Sequence, residues 1–459
     1  DLLWIDRGQR PLTAALNRIL RMFVESRPAS QDVAYATKIF DRFRTLESRR
    51  GGEDSKMYVP RLSASSYQIY LTLMSRSNPK ESADGIKHAL AMMEEDAVKI
   101  DTVHYVAAIK GLVKGGKGED KLRAKELLFE AIDKYNAMSV SEQDASNFNA
   151  SALYAAMMSP TKSSEAISLL GSLEKRYEET MDPSFKPDLV LYCTVLSAIA
   201  TDRNIVPWKD EKAIEILGSI EEAYRNGDNT MMPNKFCFMP VIDILSSSKL
   251  PSASVLAEDI IERMGELYIR TGDENVKPDA RAYIAVMKTL ARSKTPSKAT
   301  KVWELCQAME TKFFDGDDSF KPSITTLSTV LNACAFTHLR EEHEEALHIA
   351  LKVQNTLVEK GCYGEPDSIF YDSLIKVFGL LLKGGPRQKQ REDLISATFE
   401  RCSKDGVVDE RIISTIRSFF PKYYEKLPGY ENGKVQLKSL PKKWTYNLQY
   451  QRLKARKPR

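Results

Sequence analysis

Two groups of residues have spacings that could support nucleotide or metal chemistry. Residues 111–117, GLVKGGK, match the Gly-x4-Gly-Lys spacing of a phosphate-binding loop, but Gly118 replaces the Ser or Thr that such a loop uses to hold Mg²⁺. His338, His343 and His348 lie five residues apart, which rotates each by about 140° around a helix, so they cannot share one metal ion. Paired carboxylates such as Glu341–Glu342 and Asp317–Asp318 are expected on exposed turns, with no apolar pocket to raise a pKa. We therefore predict a protein that is not an enzyme and has no metal or cofactor.

The C-terminal end of the chain is a polycation that also contains aromatic residues. Residues 432–459 contain nine Lys or Arg and no Asp or Glu, which leaves 58 basic and 63 acidic residues in 1–431. Basic side chains pair with phosphates and aromatic rings stack on bases, so this tail is a candidate RNA-binding segment. Its candidate residues are Lys442, Lys443, Arg452, Lys454 and Arg456. The alternative is that Trp444 and Leu448 dock on the preceding helices and that only the final residues, QRLKARKPR, are free.

Composition favours a folded protein from a reducing compartment. The chain has 459 residues, of which 42% are hydrophobic and 28% are charged. Its six cysteines occur singly, without a Cys-x-x-Cys pair, which argues against a disulfide framework or a zinc ribbon. No run of 18 apolar residues predicts a membrane span. The chain begins at Asp1, and we expect any targeting peptide to lie outside it.

A segment marked by proline recurs at a nearly constant spacing. The prolines lie 46, 45, 44 and 44 residues apart, at Pro187, Pro233, Pro278, Pro322 and Pro366. The next residue is in each case a good helix N-cap. Apolar residues then follow at the spacing of an amphipathic helix, as in the series that begins at Tyr192. A second helical pattern, led by alanine, follows in each repeat, as at Ala213 and Ala299. Self-similarity on this scale predicts a stack of helical hairpins.

The same pattern, without the proline, extends toward the N-terminus. The anchors of the nine predicted helix pairs are Leu16, Tyr67, Tyr105, Phe148, Tyr192, Phe238, Tyr283, Leu327 and Tyr371. A partial tenth pair begins near Ile413, and no β-rich stretch competes with the pattern. We therefore predict an all-α fold, a right-handed α-solenoid of about nine helical hairpins over residues 1–431. A basic, aromatic-containing tail follows over residues 432–459.

The combined pattern resembles the pentatricopeptide repeat (PPR) family. The resemblance rests on the aromatic-x-x-apolar-apolar first helix, on second helices such as KATKVWELCQAME, and on the terminal Lys-Pro-Asp, and it covers roughly residues 12–420. Family units have about 35 residues, whereas these have about 44. We expect the additional residues to lie mainly between the second helix and the next cap, in polar, exposed turns.

The resemblance implies that single-stranded RNA is the partner and that each helical unit reads one base with a few side chains. In the family, the residue after the first-helix anchor and the last residue of the unit select the base. Carried onto this sequence, Asn149 with Asp188 matches a uracil-reading pair. Ser328 with Asp367 is near the purine-reading pair, with guanine as the expected base.

The family also places an apolar residue against each base, three positions before the first reading residue. In this sequence the resemblance gives that role to Val103, Val190 and Phe236. Several reading positions hold residues that cannot hydrogen-bond a base edge: Val106, Met239 and Ile284. We therefore expect most repeats to support a strand without selecting its sequence.

The predicted function is that of an organellar RNA-binding protein, mitochondrial or plastid, that holds single-stranded RNA along the solenoid groove. It would act in RNA processing, stability or translation. The alternative is a helical-repeat scaffold for other proteins, for example within an organellar ribonucleoprotein. The net acidic body does not indicate a polyanion binder, but basic residues gathered on one face would not show in a total charge. Both alternatives stay open, because fold alone does not determine function.

Overall fold

The computed structural model describes residues 13–26, 30–48, 62–115, 118–158, 162–202, 204 and 208–448. The chain divides into an N-terminal unit, residues 1–206 with 215–233, and a C-terminal unit, residues 207–214 with 234–459. The described residues form 21 α-helices and one short β-hairpin. The predicted all-α fold is confirmed.

Helical hairpins build the N-terminal unit. Its helices are α1 (Thr13–Glu25), α2 (Ser30–Ser48), α3 (Ala64–Arg76), α4 (Pro79–Glu95), α5 (Thr102–Gly115), α6 (Gly118–Asn136), α7 (Val140–Asp144), α8 (Ala150–Met157), α9 (Ser163–Thr180) and α10 (Leu189–Thr201). Helix α11 (Lys209–Arg225) has residues in both units. The first helices α1, α3, α5, α8 and α10 pack on one another in that order. The second helices α2, α4, α6 and α9 each contact the first helix of their own repeat and that of the next.

The C-terminal unit repeats this arrangement. Its helices are α12 (Lys235–Ser247), α13 (Ala253–Thr271), α14 (Ala280–Arg292), α15 (Lys298–Phe314), α16 (Ile324–Ala335), α17 (His343–Lys360), α18 (Ser368–Leu381), α19 (Gln388–Lys404), α20 (Glu410–Phe419) and α21 (Pro421–Tyr424). Helices α12, α14, α16, α18 and α20 form the row of first helices. The predicted solenoid of helical hairpins is confirmed within each unit, and its right-handedness stays a prediction.

The core lies between the first and second helices of each repeat. The alanines that lead the second helices are all buried: Ala36, Ala89, Ala124, Ala166, Ala213, Ala257, Ala299 and Ala346. A methyl group at this position lets two antiparallel helices approach closely, and a larger side chain would need space that a close-packed interior lacks. The burial of these alanines agrees with their predicted place at the contact between the two helices of each repeat.

The residues after the repeated prolines begin the first helices, as predicted. The Asp188 carboxylate accepts a hydrogen bond from the Leu191 backbone N–H at 2.9 Å and caps α10. The equivalent caps of the following repeats are Asn234, Asp279, Ser323 and Asp367. Each satisfies backbone N–H groups that have no partner inside the helix. The cap thereby sets the register of every residue on the first helix.

The additional residues of the long repeats form compact turns. An aspartate in each turn accepts a hydrogen bond from the backbone N–H two residues later, at 2.8–3.0 Å. These aspartates are Asp182, Asp228, Asp273 and Asp317. Three residues before each following cap, an apolar side chain is buried: Phe185, Met231, Val276 and Phe320. The expectation of polar, exposed turns was therefore incomplete, because each turn has an apolar residue packed beneath it.

Ion pairs connect successive turns within each unit. Lys186 Nζ lies 2.5 Å from Asp228 Oδ2 in the N-terminal unit. Lys277 Nζ lies 2.8 Å from Asp317 Oδ2 in the C-terminal unit. Each lysine lies two residues before a cap, and each aspartate lies six residues before the next cap. The Lys-Pro-Asp motif thus joins one turn to the next as well as capping a helix.

The first part of the tail docks on the last helices. The sequence had left this open as the alternative to a tail that is free to bind RNA along its whole length. The Trp444 ring contacts the Phe399 ring edge-to-face with centroids 5.5 Å apart, and the Val408 backbone N–H donates to the Trp444 carbonyl at 2.9 Å. A hairpin of β1 (Tyr430–Glu431) and β2 (Lys434–Val435) precedes it. Its Asn-Gly turn, a strong hairpin signal, was not recognised in the sequence.

Candidate nucleic-acid interface

Apolar side chains project from the first turn of several first helices. In the N-terminal unit Val103 is 44% exposed and Val190 is 64% exposed. In the C-terminal unit Phe236 is 72% exposed. Each lies two residues after the residue that precedes its helix, Asp101, Asp188 or Asn234, and is exposed. The sequence therefore identified residues with accessible apolar surface, and their contact with bases stays a prediction.

The register predicted for the fourth repeat was wrong. Asn149 is not a residue within the first helix but the N-cap of α8, where its Oδ1 accepts a hydrogen bond from the Ala152 backbone N–H at 2.9 Å. Phe148, the predicted anchor, precedes the helix and stacks on Tyr135 with ring centroids 4.2 Å apart. Counted from the cap, the reading position of this repeat is Tyr154, which is buried. Asn149 and Asp188 are therefore equivalent caps of successive repeats, not a reading pair in one repeat.

Internal hydrogen bonds engage the remaining predicted reading residues. The Asp188 carboxylate accepts from the Ser151 hydroxyl at 2.7 Å in addition to capping α10. Ser328 is buried, and its hydroxyl donates to the Ile324 carbonyl at 2.9 Å. The Asp367 carboxylate accepts from the Phe370 backbone N–H at 2.8 Å. Base reading by Ser328 and Asp367 stays a prediction, and it requires these groups to contact RNA without losing their structural roles.

A basic groove runs across the first helices α3, α5 and α8 of the N-terminal unit. Its volume is about 750 Å³. Three cations line it, Arg76, Lys110 and Lys114, together with the side-chain amides of Gln68 and Asn149 and the apolar surface of Val103. No carboxylate lines this groove among the described residues. Fixed positive charge without a competing acid is the environment in which a phosphate backbone replaces its counterions most readily.

Two of these cations also stabilise helix C-termini. Arg76 donates to the Val24 carbonyl at 2.9 Å, and Lys114 donates to the Ser77 carbonyl at 2.6 Å. Cations at these positions satisfy terminal carbonyls and oppose the negative end of the helix dipole. Lys110, by contrast, is exposed and has no hydrogen bond or ion pair within the described part of the chain. It is the groove cation with no structural role of its own.

The sequence contained a signal for these cations that our prediction did not use. Arg76 lies 13 residues after Ser63, the N-cap of α3, and Arg292 lies 13 residues after Asp279, the cap of α14. Lys114 lies 13 residues after Asp101, which directly precedes α5 and accepts a hydrogen bond from the His104 backbone N–H. Arg292 makes the equivalent bond, donating to the Ser246 carbonyl at 2.7 Å. Lys110 lies nine residues after its cap. Counting from the caps would have placed these side chains on one face of the first-helix row.

Basic residues of the C-terminal unit are partly balanced by acids. Arg281 and Lys288 of α14 face Asp243 of α12. Desolvation raises the pKa of the Asp243 carboxyl, and the two cations partly counter this effect. Lys376 of α18 pairs with Asp372 at 2.6 Å. These first-helix cations therefore lie near acids, unlike the three cations that line the groove of the N-terminal unit.

The tail cations are only partly within the described residues. Lys442 and Lys443 are exposed on a 3-10 turn that the Trp444 contact holds against α19. Arg452, Lys454 and Arg456 lie outside the described residues. RNA contact by all five stays a prediction.

The described regions were also compared with what a metal site, a phosphate-binding loop, a reactive cysteine or a membrane span would require. No group of three or more His, Cys, Asp or Glu side chains there could hold a metal ion. Helix α5 extends to Gly115, so the first residues of the loop-like GLVKGGK segment are helical. None of the six cysteines, all of which are described, forms a disulfide bond, and burial raises the pKa of Cys306 and of Cys334 to about 12. Among the helices that the structure describes, none has the length and apolarity to cross a membrane.

Comparison with known proteins shows similarity only at the level of structure. No protein-family model matches the sequence, and neither does any curated protein sequence. The crystal structure of the pentatricopeptide repeat protein PPR10 from maize is similar over 92% of this chain and 58% of its own, with 15% identity and a TM-score of 0.43. PPR10 in complex with an 18-nt psaJ RNA element is similar over 92% and 56%, with 14% identity and a TM-score of 0.44. This chain thus spans less than two thirds of the length of these two chains. By the order and pairing of its own helices, it is an α-helical repeat protein built of helical hairpins.

Proposed function

We propose that the protein binds single-stranded RNA along its first helices and acts, without catalysis, in RNA processing, stability or translation. The observation that best supports this proposal is the basic groove of the N-terminal unit, which has three cations and no carboxylate among its lining residues. Exposed Val103 in the same groove offers apolar surface against which a base can stack. A single strand needs both features, since its phosphates and its bases are accessible together.

Substitution of Lys110 is the most direct test of RNA binding in the groove. Because it stabilises no other element, K110Q should remove one phosphate contact and leave the fold intact. The matched control is K121Q, which removes the same charge from an exposed position of α6, outside the groove. We would titrate a 15-nucleotide single-stranded RNA by fluorescence anisotropy at several salt concentrations. K110Q should flatten the log–log salt slope by about 0.7, the value for one phosphate on a single strand, and K121Q should leave it unchanged.

The outcomes separate the proposed function from its alternative. Absence of RNA binding above the nonspecific level, in wild type and both variants, would leave the protein-scaffold interpretation. Equal slopes for K110Q and K121Q in a protein that does bind RNA would move the contacts away from this groove. The organellar location rests on the family resemblance alone, and imaging the tagged full-length gene product against mitochondrial and plastid markers tests it.

A further inference from the structure

A second cavity adjoins the basic groove. It lies between the turns at residues 97–101 and 145–148, has a volume of about 790 Å³, and is here called the side pocket. Thr102, Val103 and Asn147 line both the groove and the side pocket. A volume in this range is typical of sites for small organic groups. The two cavities are therefore placed so that one ligand could occupy both.

The side pocket exists where the turn pattern of the other repeats is interrupted. Three residues before the cap, the long-repeat turns bury a large apolar side chain such as Phe185 or Phe320. The turn before the Asn149 cap has Ser146 at this position, and Ser146 lines the pocket. A hydroxymethyl group fills much less volume than a phenyl ring. The substitution leaves space beside Phe148, a ring that is only partly buried.

A lysine at the pocket lacks the ion pair of its counterparts. Lys99 lies two residues before its cap, like Lys186 and Lys277, but the position that supplies their aspartate is Gln143 here. The Gln143 amide donates instead to the Tyr135 carbonyl at 3.0 Å. Lys99 forms no ion pair or hydrogen bond within the described part of the chain, although its charge helps to lower the pKa of Glu142.

The other polar groups of the pocket differ in their availability. Asn147 is exposed, and its side chain makes no hydrogen bond within the described regions. Two carboxylates also line the pocket. Asp101 is engaged by the ring of His104, whereas Glu94 is exposed to solvent. The pocket thus combines a free amide and a free ammonium with apolar walls that include Val98, Val103 and Phe148.

We propose that the side pocket takes one nucleotide unit of a strand that lies in the groove. The base packs against the apolar walls and Phe148, the Asn147 amide hydrogen-bonds its edge, and Lys99 pairs with its phosphate. An asparagine amide matches the donor–acceptor edge of adenine, so adenine is the expected base. This inference rests on the proposed RNA binding. It adds that one base turns out of the strand in the groove and enters the side pocket, while its neighbours stay in the groove.

Two variants test the pocket without touching the groove cations. S146F installs the aromatic ring that Phe185 and Phe320 provide in other turns and fills the cavity. N147A removes the free amide at an exposed position and adds no bulk, so it remains informative if S146F fails to fold, as judged by circular dichroism and thermal melting. Both are compared with wild type on a 15-nucleotide oligoadenylate at several salt concentrations, and adenosine monophosphate is titrated separately.

Both variants should weaken RNA binding, and they differ in their salt dependence. S146F excludes the nucleotide unit from the pocket, so it should lower affinity about 5- to 50-fold and flatten the salt slope by up to about 0.7 as the phosphate leaves Lys99. N147A leaves the cavity and Lys99 in place, so it should lower affinity about 3- to 10-fold at every salt concentration with an unchanged slope, because edge recognition does not release counterions. Q143D, which supplies the missing partner of Lys99, should instead flatten the slope by up to about 0.7.

Wild-type affinity in both S146F and N147A would overturn the proposal, even though K110Q still showed that the groove binds RNA. Binding of adenosine monophosphate that S146F abolishes, with oligoadenylate affinity unchanged, would assign the pocket to a free nucleotide and would equally overturn it. Failure of wild type to bind any RNA would instead remove the proposed function on which the inference rests.

Discussion

The ion pairs between successive turns connect the long repeats, and substitution of Lys277 tests how much such a pair stabilises the fold. The K277M substitution keeps most of the aliphatic length of the side chain and removes its charge next to Asp317. Hydrogen bonds from Lys277 and from Ser319 lower the pKa of the Asp317 carboxyl from 3.8 to about 2. A shift of that size corresponds to about 2.4 kcal/mol at 1.36 kcal/mol per unit. The side chains of Lys277 and Asp317 are 19% and 30% exposed, so solvent screening reduces the contribution of the pair to about 1 kcal/mol.

A double-mutant cycle isolates this contribution. K277M, D317N and the double variant are unfolded in urea at pH 7, and the coupling energy should be about 1 kcal/mol. Asparagine retains an oxygen that can accept the Ser319 N–H bond, so D317N should leave the turn intact. The control is the exposed pair Lys175–Glu179, 3.7 Å apart within α9, whose K175M and E179Q cycle should give about 0.3 kcal/mol.

The pH dependence provides a second readout with a defined sign. Because the pKa of Asp317 is lower in the folded chain than in the unfolded chain, its stabilisation is present above about pH 4 and is lost as the pH falls toward 2. K277M should therefore lose less stability than wild type over that range. A coupling energy no larger than that of the Lys175–Glu179 control would refute the idea that the turn ion pairs stabilise the array.

Three further predictions concern the core, a buried lysine and the tail. A299F should overpack the contact of α15 with α14 and lower the free energy of unfolding by about 1–3 kcal/mol in denaturant titrations, and an unchanged value would contradict the predicted register. Burial lowers the pKa of Lys298 from 10.5 to about 8. The unfolded chain therefore binds more protons between pH 8 and 10.5, and wild type should gain stability relative to K298M as the pH rises through that window. Deleting residues 449–459, which contain five cations, should flatten the salt slope of RNA binding by up to about three units, whereas an unchanged slope would place the contacts on the helices.

The sequence by itself determined the period of the array, its helical class and the start of most first helices. These features are local: an N-cap bonds to an N–H within three residues, and an amphipathic helix shows its buried face in the spacing of a few apolar residues. The alanine register also followed from the sequence, because only a small side chain permits close approach at that point. The same counting would have located Arg76 and Lys114, had it begun at the caps.

Tertiary structure decided what local spacing could not. Phe148 and Leu153 are both apolar and both could anchor the fourth repeat, but Phe148 stacks on Tyr135 outside the helix, and only that packing shows Asn149 to be a cap. Likewise, a polar residue such as Ser328 looks available in sequence until its neighbours bury it. The basic groove depends on which side chains from α3, α5 and α8 come together without an acid between them. Such proximity between residues far apart in the chain arises from packing of the helices, which the hydrophobic period of any one helix does not specify.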